Sequence, residues 1–168
     1  MKDVLVVIDM QNDFINGSLG TKEAEGIVEN VKAKVDEYLK AGKRVYFTQD
    51  THGEDYLDTF EGKNLPVEHC IDGSLGWAIS DELPYKNLLC TVIEKGTFGY
   101  LKWDFSGVDT IEICGLCTDV CVVSNALILR AMYPQKQITL DSKCCAGVTP
   151  EKHEAALEVM KSCQIEVL

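Results

Sequence analysis

Basic side chains are scarce in this sequence. Its 168 residues hold 16 lysines and arginines against 27 aspartates and glutamates, for a net charge of −11. A surface that negative repels phosphate backbones and argues against nucleic acid as a partner. Long apolar runs are missing too. None reaches the roughly 18–20 residues of a membrane-spanning helix, so no membrane partner is expected. The opening stretch MKDVLVVIDMQNDF has only Val4 to Ile8 as an apolar run, between acidic neighbours, and does not read as a secretory signal. The expected location is therefore the cytoplasm, where disulfides rarely persist. Eight cysteines are then no disulfide framework. Cys90 in LLCTVI and Cys114 in IEIC read as small buried apolar residues.

What is present is ordinary for a globular chain: 46% hydrophobic and 26% charged residues. No repeat or linker interrupts it, and residues 1–168 read as one domain. Residues 4–9, VLVVID, form a continuous apolar run of the kind found in strands buried on both faces. Residues 22–40 read as a helix, with Ala24, Ile27, Val28, Val31 and Val35 on one face. Further strands are predicted at 44–50, 88–95, 110–114, 137–140 and 165–168. Further helices are predicted at 75–82, 119–132 and 150–163. Strands alternating with helices give an α/β fold with a parallel sheet covered on both faces.

In such sheets ligands bind beyond the carboxyl ends of the strands. Those ends carry Asp9, then Asp50 and His52, then Lys95, then the loop Gly115–Cys121. Asp9 closes an otherwise apolar strand, where a carboxylate is costly unless paired or used. It reads as a general acid/base, or more plainly as a loop hydrogen-bond acceptor. Lys95 reads as its ion-pair partner or as a surface lysine. Cys121 follows Thr118 and Asp119, both good N-cap residues, so it is placed in the first turn of a helix. There the dipole and free N–H groups favour a thiolate and can hold an oxyanion. A buried structural cysteine is the plainer alternative.

A zinc site built on Cys114, Cys117 and Cys121 lacks the second ligand pair usual in structural sites. Asp50 and His52 fit a metal better, because residues i and i+2 of an extended segment point the same way. His69 is a third candidate ligand and Glu61 a further one. Zinc, iron and manganese all suit two histidines and a carboxylate. Unrelated loop histidines are the alternative. His153, within the last helix, reads as a surface residue.

These motifs resemble a known family. VVIDMQNDF (6–14), EKGTFGY (94–100) and CGLCTDVCV (114–122) are similar, in that order, to the aspartate, lysine and nucleophile motifs of the isochorismatase-like cysteine hydrolases. The Asp50-x-His52 pair and His69-Cys70 look most like those of nicotinamidases and their amidase relatives. The resemblance covers nearly the whole chain. It implies a three-layer α/β/α sandwich with a six-stranded parallel, Rossmann-like sheet. It implies a catalytic set of Asp9, Lys95 and Cys121, and a divalent metal, zinc in the first place, on Asp50, His52 and His69, with Glu61 a weaker ligand assignment. It further implies a cis Leu116–Cys117 bond that turns the Cys117 N–H toward an oxyanion beside that of Cys121. By position Phe14, Tyr100 and Leu116 fall to the substrate pocket, with Trp77 a weaker candidate. The implied reaction is hydrolysis of nicotinamide to nicotinate and ammonia through a thioester on Cys121. Another small amide or a ureido compound is the alternative substrate. A non-catalytic metal-binding domain and a thiol redox protein using Cys114 and Cys117 are the minor readings, and a homo-oligomer is left open.

Overall fold

The computed structural model describes residues 2–168. Six parallel strands make one sheet: β1 (Asp3–Ile8), β2 (Arg44–Asp50), β3 (Cys90–Lys95), β4 (Thr110–Leu116), β5 (Gln137–Ala146) and β6 (Glu166–Val167), in the order β3-β2-β1-β4-β5-β6. From Val4 to Ile8 β1 is wholly buried, because it is a central strand covered on both faces. Helix α2 (Lys22–Lys40) presents Ala24, Ile27, Val28, Val31 and Val35 to the core, and Thr21 caps it through the Ala24 N–H. Helices α4 (Val123–Met132) and α5 (Pro150–Ser162) pack on each other. The β1–α2–β2 and β4–α4–β5 crossovers run in opposite directions from the sheet centre, and their common right-handedness puts α2 and α4 on opposite faces. The three-layer α/β/α arrangement follows.

The strand order reverses between β1 and β4, which opens a crevice at their carboxyl ends. Gly115 lets the two strands meet there. It pairs with Ile8 and has a φ of +117°, and a Cβ on it would fall 2.1 Å from the Ile8 carbonyl oxygen. Gly115→Ala is therefore expected to cost about 3–5 kcal/mol through overpacking and backbone strain. A urea unfolding midpoint equal to the wild type would contradict that.

Several elements differ from the sequence expectation. No helix forms over 75–82. There the Gly76 carbonyl accepts the Asp13 N–H, the Ala78 carbonyl accepts the Asn12 N–H, and the Trp77 carbonyl accepts the Gln11 and Gln49 amides. A backbone engaged with the loop after β1 cannot also make a helical ladder. Two short helices were not anticipated: α1 (Asn12–Ile15) and α3 (Phe60–Asn64). β5 runs past 140 to Ala146, with the register shifting between Ile113 and Gly115 of its partner. Beside that irregularity Lys34 of α2 pairs with Glu112 at 2.6 Å and Asp141 at 2.8 Å.

Candidate active site

The carboxyl ends of β1, β3 and β4 bring Asp9, Lys95 and Cys121 together. Lys95 Nζ lies 2.7 Å from Asp9 Oδ2 and 3.5 Å from Cys121 Sγ. All three residues are buried. Asp9 stands just past β1 with a left-handed φ of 46°, a conformation that costs a non-glycine residue of the order of 1–3 kcal/mol and clusters at functional sites. Burial raises the Asp9 carboxyl above its ordinary range, against the opposing pull of the Lys95 charge. Burial and then the Asp9 charge push the Cys121 thiol well up. Burial alone would lower Lys95, but the neighbouring Asp9 and Asp50 carboxyl groups outweigh it and hold the ammonium charged. A thiol and a carboxyl group thus flank one fixed cation.

The turn that carries Cys121 is not the one expected. Thr118–Val122 is a π-helical turn leading into α4, and Cys117 occupies the cap position. Neither predicted cap residue serves as one. Thr118 Oγ1 lies 2.8 Å from His153 Nδ1, and Asp119 Oδ1 accepts the Val148 N–H at 2.9 Å. His153 is accordingly half-buried, not a surface residue. The Leu116–Cys117 peptide is cis.

Next to this group lies a second cluster. Ligand atoms of Asp50, His52, Glu61 and His69 all fall within 4.8 Å of one another. His52 Nε2 is 2.8 Å from Asp50 Oδ2, and both His52 and His69 Nε2 are 3.6–3.7 Å from Glu61 Oε1. His69 directs Nδ1 at the Val67 carbonyl, 2.8 Å away, which leaves Nε2 facing the cluster. A backbone partner on the remote nitrogen is the usual arrangement of a metal-binding histidine. Asp9, Asp50 and Glu61 bring three carboxylates to the region against one ammonium. Two imidazoles and two carboxylates in such a negative, mostly buried setting fit a divalent cation. Asp50 joins the two clusters, since its Oδ1 lies 3.3 Å from Lys95 Nζ.

Supporting residues were not foreseen from the sequence. Gln11 clamps the Asp50 backbone, accepting its N–H at 2.7 Å and donating to its carbonyl at 2.8 Å. Asp13 accepts the Cys70 N–H at 2.8 Å and so ties down the loop that carries His69. Tyr56 packs against both histidine rings. Asn125 donates to the Cys121 carbonyl and the Phe98 carbonyl and accepts the Tyr100 N–H.

A cavity of about 140 Å³ opens between the clusters. Cys117, Cys121, Asp50, Glu61 and His69 line it, with apolar walls from Phe14, Leu19, Leu65, Phe98, Val120 and Val148. Of the aromatic candidates Phe14 lines it. Tyr100 does not: its ring packs edge-on against Trp103, and Phe98 occupies the wall instead. The Leu116 side chain is fully buried in the core and also lies outside the lining. Trp77 is turned away, its Nε1 donating to Thr51 Oγ1.

The isochorismatase domain family matches residues 3–168. The nicotinamidase/pyrazinamidase of Mycobacterium tuberculosis is 26% identical, over 98% of this chain and 97% of its own. An Arabidopsis thaliana protein named a probable inactive nicotinamidase is 29% identical, over 94% and 87%. Among solved structures, the pyrazinamidase of Pyrococcus horikoshii in complex with zinc superposes with a TM-score of 0.85 at 27% identity, covering 100% of this chain and 99% of that one.

Proposed function

The chain belongs to the isochorismatase family, and on that premise we propose that it is a metal-dependent cysteine amidohydrolase acting on nicotinamide or a close aromatic amide. One observation carries the proposal: a single ring-sized cavity is lined both by Cys121, in contact with Lys95 and Asp9, and by three members of the four-residue ligand cluster. An apolar cavity of about 150 Å³ takes a benzene ring. The volume here is therefore of the order of one aromatic ring. The amidase names of the relatives support the same reading.

The mechanism follows from the neighbours of each atom. Asp9 takes the proton of the Cys121 thiol as the sulfur attacks the amide carbon. Lys95 keeps the carboxylate and the thiol aligned and balances the charge. The backbone N–H groups of Cys117 and Cys121 serve the tetrahedral oxyanion. Asp9 returns the proton to the leaving ammonia and leaves a thioester on Cys121. Water, deprotonated by Asp9, then releases the acid and restores the thiol. The apolar walls exclude bulk water and hold the ring. A divalent cation on Asp50, His52, Glu61 and His69 supplies, when bound, a Lewis-acidic contact for a lone pair of the substrate.

Ammonia release tests the reading. Nicotinamide and pyrazinamide are expected to be turned over, and ureido compounds poorly. A metal-loaded protein that hydrolyses only ureido substrates would transfer the same catalytic residues to the alternative substrate class. The metal assignment has its own test. Loss of a residue that merely supports a ligand typically costs 10–100-fold in affinity, so His69→Ala is expected to weaken zinc binding by more than about 100-fold in a chelator competition. Unchanged affinity would place the ion elsewhere.

A further inference from the structure

Thr48 is fully buried in β2, one residue beyond Phe47, which pairs with Val7 of β1. Its hydroxyl makes two bonds to one residue. Oγ1 donates to Asp9 Oδ1 at 2.6 Å and accepts the Asp9 N–H at 3.1 Å. The first fixes the carboxylate, and the second fixes the left-handed backbone on which it stands. The other carboxylate oxygen is different. Asp9 Oδ2 is buried and faces Lys95 Nζ at 2.7 Å, the same ammonium that lies 3.5 Å from Cys121 Sγ.

We propose that Thr48 is a positioning residue that selects the oxygen of Asp9 through which the thiol proton passes. With Oδ1 held by Thr48, turning the carboxylate about its Cβ–Cγ bond would break that hydrogen bond, and Oδ2 stays on the side of Lys95 and Cys121, where a second lone pair can take the thiol proton. The proton moves from Sγ to Oδ2 as the sulfur–carbon bond forms. It leaves Oδ2 for the departing nitrogen, and Thr48 keeps its own proton throughout. This rests on the assignment of Asp9 and Cys121 above, but it can be read without knowing the amide.

The test compares Thr48→Val, which keeps the shape and loses the hydroxyl, and Thr48→Ala with Thr48→Ser, which restores the hydroxyl. Two readouts are taken on metal-loaded protein: steady-state hydrolysis of nicotinamide, and the rate at which iodoacetamide labels Cys121, followed by peptide mass spectrometry. Hydrogen bonds to a charged group are among the stronger ones in proteins. The hydroxyl-free variants are therefore expected to lose about 10- to 100-fold in kcat with KM little changed, and to label Cys121 about tenfold more slowly. Thr48→Ser is expected to recover most of both rates. If no amide is hydrolysed even by the wild type, the labelling series still decides the role of Thr48 separately from the substrate. A folded hydroxyl-free variant with wild-type labelling overturns the proposal. So does a serine variant as slow as the valine one. Failure of both the valine and alanine variants to fold overturns it as well, because Thr48 would then serve stability rather than alignment.

Discussion

Replacing Cys121 by alanine is expected to lower amide hydrolysis by roughly 10⁴-fold or more, to the limit of detection. Cys121 is the residue at which the π-helical turn, the Lys95 ammonium and the cavity meet. Seven other cysteines accompany it, so the change must be specific. Cys114, Cys144 and Cys145 are buried in the core, and burial raises each of their thiols. Cys117 lines the same cavity with its thiol pushed up to about 12, by burial first and then by the charge of Asp119. Cys117→Ala is therefore expected to retain turnover within about tenfold, since its backbone N–H, which survives the change, is the group assigned to the oxyanion. Substantial ammonia release by Cys121→Ala would remove the thiol from the mechanism. Loss of turnover in Cys117→Ala alone would shift the chemistry to the other sulfur of the cavity.

The second large effect is expected at Asp9. Asp9→Asn keeps the shape but cannot accept the thiol proton, and loss of a general base typically costs about 10²- to 10⁴-fold. The same change leaves Lys95, 4% exposed, with Asp50 at 3.3 Å as its remaining counterion. Breaking a buried pair by neutralising one partner typically costs about 3–5 kcal/mol, so Asp9→Asn is expected to lose stability as well as rate. Measuring kcat well below the melting temperature separates the two. A variant that is less stable but retains wild-type kcat would show that Asp9 only neutralises Lys95.

Why these residues could be found in the sequence, and others could not, is a matter of range. β1 reads as a strand because its buried run is continuous, and Asp9 stands out as the one charge at its end. Lys95 and the Gly115–Cys121 loop follow from the rule that ligands collect at the carboxyl ends of parallel strands. These are local patterns combined with one topological rule. Thr48 carries no such mark. It is one apolar-strand threonine among several until the register of β1 against β2 places its hydroxyl on Asp9. Gln11 and Asp13 likewise act across long sequence separations, on Asp50 and Cys70. The errors have the same origin. Residues 75–82 have a sequence acceptable for a helix, but their carbonyls are taken by Gln11, Asn12, Asp13 and Gln49. Thr118 and Asp119 are good caps in isolation, yet His153 and Val148 claim their side chains. Tyr100 and Phe98 sit two residues apart on one loop. The hydrogen bonds of Asn125 to both residues' backbones help hold that loop, and Phe98 is the ring that lines the cavity.

In the proposed mechanism Cys121 carries the acyl group during turnover. Acid quenching of the metal-loaded protein within its first turnovers of nicotinamide, followed by peptide mass spectrometry, tests it most directly. A pyridine-carbonyl adduct is expected on the peptide containing Cys121, absent without substrate and absent in Cys121→Ala. Steady ammonia release with no adduct at any quench time, under conditions that preserve thioesters, would contradict it and point to direct attack by water.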